Sequence, residues 1–154
     1  MPNMTQALTI LLQNIQGEWI SQQTIYCLEQ KNKSINTFKR NITRLDKNIR
    51  NNCYYVCTYN QTLNTKINYQ YSTLNKGKDN LGTIKKISKD SIINYSFYIN
   101  NNNDLKITHK QKDIKYIEYF YSINRNFTMS IVIIKQNHQY IAICFTSNIK
   151  IINN

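Results

Sequence analysis

Residues 114–147 read "IKYIEYFYSINRNFTMSIVIIKQNHQYIAICFTS", three apolar runs rich in Ile, Tyr, Phe and Thr divided by "NRN" at 124–126 and "QNH" at 136–138. β-Branched and aromatic residues fit a pleated, half-buried surface. Asn-rich breaks supply the conformations that tight turns need. The stretch therefore predicts consecutive antiparallel strands joined by short hairpins. Outward from it the same grammar holds. "TKINYQYSTL", "LGTIKKIS", "SIINYSFYI" and "DLKITHK" are further short strands, separated by "NKGKDNLG" and "NNNND". Eight or more such segments in series predict an all-β, up-and-down antiparallel barrel of about 8–10 strands, with room inside for one small ligand.

The first third departs from this pattern. Met4, Leu8, Leu11, Leu12 and Ile15 recur at helical spacing, and Gly17 can end that helix with a left-handed residue. An N-terminal amphipathic helix is expected to lie across a sheet or one mouth of the barrel. "GEWISQQTIYCL", residues 17–28, then alternates, with Trp19, Ser21, Gln23, Ile25 and Cys27 on one face. Residues 34–42 read as a strand. Leu45, Ile49, Cys53 and Val56 return to helical spacing behind Thr43 as an N-cap, which predicts a second short helix.

The 154 residues suffice for one domain with a real core, spanning 1–154. No repeat or linker divides them. The net charge of +12 would ordinarily suggest nucleic acid. However, Lys outnumbers Arg about four to one, and Asn, Ile and Tyr are inflated alongside it, as A/T-rich codons produce. Base readers favour Arg for its planar fork. A solvated basic surface is the simpler reading, with steering of an acidic protein partner as its use. Cys27, Cys53, Cys57 and Cys144 read as free thiols in a reducing compartment. His109 and His138 stand alone, so no metal site is expected. The opening "MPNMTQALTILLQNIQ" lacks a basic leader region, and no apolar run approaches the roughly 18 residues of a membrane span. Neither export nor a membrane partner is expected.

Motifs for nucleophilic, phosphate-binding, dinucleotide and zinc-protease chemistry are absent. With only eight carboxylates in the chain, one on a strand is informative. Glu118 alternates with Tyr116, Phe120 and Ser122. Pattern alone leaves two readings open: a carboxylate on the outer wall, or an inward one with its pKa moved toward neutrality and ready to exchange a proton with a ligand. His109 reads as a surface or hydrogen-bonded histidine. Tyr69, Tyr71, Tyr95, Tyr98, Tyr116, Tyr119 and Tyr121 read chiefly as barrel packing, although an inward row would stack on a flat conjugated ligand.

"GEWISQQTIYCL", "LGTIKKI" and "EYFYSINRNFTMSIVIIKQNHQYIAICFTSNIKI" together resemble the S-type phycobiliprotein lyases of cyanobacteria and red-lineage plastids, in order and over nearly the whole chain. Trp19, Ser21, Gln22 and Thr24 match that family's first motif, and Gly82 and Thr83 its central one. Glu118 and Asn126 match the late motif, Ile149 and Lys150 the terminal pair. The resemblance implies a lipocalin-like barrel, and a chromophore lyase that binds an open-chain tetrapyrrole, a bilin, and attaches it through a thioether to a cysteine of an apo-phycobiliprotein. It implies an inward, catalytic Glu118, and a ligand site including Trp19, Ser21, Gln23, Tyr69, Tyr71, Phe120, Thr128, Ser130 and Lys150. Phycoerythrobilin or phycocyanobilin would be bound as substrate, with no prosthetic group. The acceptor would be a subunit of phycoerythrin, phycocyanin or allophycocyanin, in the plastid stroma or a cyanobacterial cytoplasm.

Three family arginines are missing: Gln23, Thr128 and Ser130 stand in their places. Anchoring of a bilin's propionates would then fall to other cations, such as Lys150 or Arg125, or to hydroxyls. A homodimer or heterodimer is compatible with the residues. Two rival functions are a non-catalytic carrier of a bilin or other hydrophobic ligand, which the missing arginines favour, and a basic nucleic-acid-binding barrel. The loops lack the aromatic and Arg cluster that the latter needs.

Overall fold

The computed structural model describes residues 7–45, 53–75, 78–100 and 104–153. One helix, α1 (Ala7–Asn14), precedes ten strands: β1 (Gly17–Cys27), β2 (Asn32–Arg44), β3 (Cys53–Asn60), β4 (Thr65–Asn75), β5 (Lys78–Ile87), β6 (Ile92–Ile99), β7 (Leu105–Gln111), β8 (Ile114–Asn124), β9 (Phe127–Gln136) and β10 (Gln139–Lys150). Each strand pairs antiparallel with its neighbour in sequence. β1 closes the ring on β10, in register from Trp19 opposite Lys150 to Cys27 opposite Ala142. Closure pairs every strand on both sides, although β2 meets β3 only from Arg40 to Arg44. The expected all-β barrel is the fold observed.

The second helix expected behind Thr43 is not borne out where the chain is described. Thr43 ends no loop but pairs with Cys57 inside the β2–β3 ladder, and Cys53 and Val56 belong to β3. The helical spacing of these apolar residues was coincidental. Val56 faces the core at 2 % exposure, whereas Leu45 is exposed. Ile49 lies outside the described residues, as does Met4 of the first helix.

The two ends of the barrel differ. Leu8, Leu11 and Leu12 of α1 are buried among Trp19, Ile42, Val56, Tyr71, Phe97, Ile99 and Leu105, so the helix plugs one end. Gly17, with φ of 127°, lets the chain turn from helix into strand there. Its backbone runs close to Lys150, whose Cε would lie 3.4 Å from an added Cβ. The hairpins at the opposite end are tight. Lys31, Asn64, Lys112, Asn137 and His138 take positive φ in them, which is the turn chemistry expected of Asn-rich breaks. That end, which no helix covers among the described residues, is here termed the mouth.

On β8, β9 and β10 the outward residues are also apolar. Ile117 and Ile143 flank Ile133, and Tyr119 and Phe145 flank Ile131. The outward faces of these strands are therefore apolar, while their inward faces mix apolar residues with Glu118, Thr128, Ser130 and Thr146.

Candidate functional site: a polar pocket inside the barrel

Above the plug the barrel encloses a cavity of about 250 Å³. Its floor is Leu11, Ile15, Trp19 and Leu105, and aromatic and aliphatic walls come from Phe38, Tyr69, Tyr71, Ile107 and Phe120. Polar side chains converge on the rest: Gln23, Arg40, Tyr116, Glu118, Thr128, Ser130, Thr146 and Asn148. An apolar cavity with a few convergent polar groups is the usual form of a small-ligand site.

Alternation on β8 puts Tyr116, Glu118 and Phe120 inside, which decides between the two readings of Glu118. Its carboxylate accepts a hydrogen bond from the Tyr116 hydroxyl at 2.8 Å. Burial raises the carboxyl pKa. The Tyr116 hydrogen bond and the charges of Arg40 and Lys86 oppose that shift without cancelling it. Burial also raises the tyrosines around it. Tyr69 is pushed up to about 12, with Glu118 adding to the shift, and Tyr116 rises further from burial, the Glu118 charge and their hydrogen bond. These phenols therefore remain neutral donors at any physiological pH.

The sign of the Glu118 shift has a measurable consequence. A carboxyl whose folded pKa is raised carries no penalty below its ordinary value of 4.5. Stability then falls as pH climbs through the window between the ordinary and the raised value, because the unfolded chain releases the proton more readily. Glu118→Gln keeps a carbonyl for the Tyr116 hydroxyl and never ionises. The ligand-free variant should melt higher than the wild type at pH 7–8, with the difference closing toward pH 4. Equal melting temperatures across that range would show that Glu118 is not desolvated.

Most of the remaining expected residues meet in this cavity. Trp19, Gln23, Tyr69, Tyr71, Phe120, Thr128 and Ser130 line it. Ser21 sits behind the wall, fully buried, and its hydroxyl donates to Asn148 Oδ1 at 2.6 Å. Lys150 is different. Register places it opposite Trp19 at the plugged end, where its ammonium donates to the Asn14 carbonyl at 3.1 Å and lies 4.8 Å from the centre of the Trp19 ring. Lys150 does not line the cavity. It caps the C-terminal end of α1, where a cation is favoured, and so fastens the plug. Arg125 is exposed in the β8–β9 turn, so neither cation expected to replace the missing arginines reaches the pocket. Gln22, Thr83, Asn126 and Ile149, although they match motifs, are exposed. His109 is structural: its Nδ1 lies 2.7 Å from the Asn94 carbonyl and its ring packs on Tyr95.

The cation that does reach the pocket is Arg40, which the motifs do not mark. Phe38, Arg40 and Ile42 occupy one face of β2 and all line the cavity. The signal was present as alternation, an arginine between two inward apolar residues, but the segment's period was ambiguous. Asn148, 1 % exposed, went unnoticed for a similar reason, sitting between motif positions.

Comparison with known proteins agrees with this geometry. No family model matches the chain. A chromophore lyase CpcS/CpeS homolog from the red alga Gracilaria tenuistipitata var. liui is 32% identical over 149 residues, covering 93% of this chain and 97% of that one. The chain belongs to the CpcS/CpeS chromophore lyase family. Among solved structures, the S-type phycobiliprotein lyase CPES from Guillardia theta superposes with a TM-score of 0.72 at 6% identity, covering 100% of this chain and 99% of that one. A protein of unknown function of the DUF3598 family from Nostoc punctiforme PCC 73102 gives 0.63 at 10% identity, over 91% of this chain and 49% of the other. At these identities the structural matches speak to the fold, a ten-stranded antiparallel barrel shared with a lyase of this family. Among the described residues no group of His, Cys, Asp and Glu could hold a metal, and no helix is long and apolar enough to cross a membrane.

Proposed function

We propose that this lyase-family chain binds a bilin in the barrel cavity through the mouth and presents it to a cysteine of an apo-phycobiliprotein subunit for thioether attachment. The observation that carries the reading is the buried Glu118, held by Tyr116 on the wall of a cavity plugged at its far end. Burial favours the neutral form of this carboxyl, which can then pass its proton to a basic pyrrolic nitrogen. The carboxylate left behind then accepts N–H hydrogen bonds from the protonated, extended chromophore. Tyr69, Tyr71 and Phe120 supply flat apolar contact. A cavity of about 250 Å³ is smaller than the roughly 300–1,000 Å³ typical of drug-sized ligands, so part of the tetrapyrrole stays outside. The exposed end is where the acceptor thiolate, which belongs to the other protein, adds across a carbon–carbon double bond. The sulfur bonds to one carbon and a proton ends on the other. The chain contributes binding, orientation and protection. The red-algal relative supports the plastid as the setting, with the cyanobacterial cytoplasm as the alternative.

Trp19 lines the cavity and is the chain's single tryptophan, so its fluorescence reports ligand entry. Titration with phycoerythrobilin or phycocyanobilin should quench it and red-shift and sharpen the bilin absorption. Added apo-phycobiliprotein subunit should then carry a chromophore that survives denaturation. Binding without covalent transfer would make the protein a carrier. No spectral change with either bilin would remove the proposal.

A further inference from the structure

Gln23, Thr128 and Ser130 are neutral and line the cavity. The pocket nonetheless holds a guanidinium. Arg40 enters from β2, and its Nη2 donates to Asn148 Oδ1 at 2.8 Å while its Nε is buried without a partner. Glu118 faces the same cavity, near enough for each charge to influence the other, but no hydrogen bond joins them among the described residues. Burial lowers the Arg40 pKa, yet an arginine side chain does not deprotonate in proteins. A permanent cation therefore lines the pocket, with one donor, Nε, buried and unpaired. A buried donor left unpaired is costly.

Its orientation is fixed. Asn148 Oδ1 accepts from Ser21 Oγ and from Arg40, while Asn148 Nδ2 donates to Thr128 Oγ1 at 3.0 Å. Turning the amide over would set its NH2 against the guanidinium, donor against donor, so the amide has one workable orientation. Nε, which has no partner, and Nη2 share one edge of the guanidinium, and such an edge can pair bidentately with a carboxylate.

We infer that Arg40, positioned by Asn148, is the subsite where the cavity takes a free carboxylate of its ligand. This rests on the tetrapyrrole reading and narrows it to anionic tetrapyrroles, with the carboxylate at Arg40 and the pyrrolic N–H groups at Glu118. A guanidinium and a carboxyl that share a cavity without pairing suit a ligand with an acidic arm and a protonatable core. Asn148 is the positioning residue that holds Arg40 there.

The test compares a bilin as free acid with the same bilin as its dimethyl ester, binding each to wild type, Arg40→Gln, Arg40→Lys and Asn148→Ala by fluorescence and absorption titration. The wild type should prefer the acid by about 10- to 100-fold, the range expected for a charge-assisted pair. Arg40→Gln should lose that preference while binding the ester within about threefold of wild type. Arg40→Lys, a cation without a fork, should keep part of it. Asn148→Ala should reduce the acid-to-ester ratio, which a merely structural role would leave unchanged because both ligands would weaken together. Equal wild-type affinity for acid and ester, or a parallel loss of both in Arg40→Gln and Arg40→Lys, would overturn the inference and leave the tetrapyrrole reading standing. If the wild type binds neither form, both fall together.

Discussion

Replacing Trp19 by alanine is expected to destabilise the protein by about 3–5 kcal/mol, the range for truncating a fully buried aromatic. Trp19 is 1 % exposed and forms the floor between cavity and plug. Its Nε1 donates to the Ile15 carbonyl at 2.9 Å, and the Lys150 ammonium lies over its ring. The substitution therefore opens a void and removes both the hydrogen bond to Ile15 and the ring beneath Lys150. A helix of eight residues does not persist alone in water, so α1 depends on this packing. For a domain this size each kcal/mol shifts the melting temperature by roughly 2–4 °C, which predicts a fall of roughly 6–20 °C. Trp19→Phe retains an apolar floor and forfeits mainly the hydrogen bond, so it should cost about 1–2 kcal/mol. Because the mutation removes the only tryptophan, unfolding should be followed by far-ultraviolet circular dichroism in urea. A loss under about 1 kcal/mol for the alanine variant would mean that the floor collapses and fills the space.

Gly82→Ala is expected to cost about 3 kcal/mol or more, at the upper end for overpacking. Gly82 sits in β5 between Thr73 of β4 and Phe97 of β6. An added Cβ would fall on the backbone carbonyl oxygen of Ser72 and within 2.8 Å of the Phe97 ring. Neither can yield easily. The carbonyl belongs to the β4 backbone, and Phe97 is 3 % exposed with its ring set edge-on to Tyr71 at 6.1 Å between centroids. Gly82 is required for space, since its backbone torsions suit other residues. Phe97→Leu added to Gly82→Ala should recover part of the loss by relieving the ring contact, leaving the backbone contact. Thermal unfolding of the single and double variants decides the matter. A single variant as stable as wild type would show that β4 and β5 can separate locally at no cost.

How much of the site was legible depended on how clean the local period was. On β8, Tyr116, Glu118 and Phe120 alternate without interruption, so their sharing of a face was readable. The direction of that face was not, because Ile117, Tyr119 and Tyr121 on the other face are equally apolar. On β2 the same alternation carried Phe38, Arg40 and Ile42 inward. There the polar neighbours and an unclear period hid it, and the pocket's cation was sought at Lys150 and Arg125 instead. The helix expected behind Thr43 was misassigned because the spacing of Leu45, Ile49, Cys53 and Val56 fits a helical period, while the pairing that holds Thr43 in β2 and Cys53 and Val56 in β3 depends on partner strands that the local pattern does not show.

The sequence by itself determined the chain of short antiparallel strands, the turns between them, the N-terminal helix with its glycine exit, and the family motifs. Each of these is written in residues near one another along the chain. Only the tertiary structure decided which face of each strand looks inward, that α1 plugs one end, that Lys150 fastens the plug, and that Arg40 meets Asn148 inside the pocket. Those facts depend on ring closure between β1 and β10. Closure sets the inner face by burying Trp19 and Ser21, and it brings together side chains more than a hundred residues apart, as in the Arg40–Asn148 hydrogen bond. No local pattern encodes such a meeting, because the burial that favours it arises only once the barrel has closed.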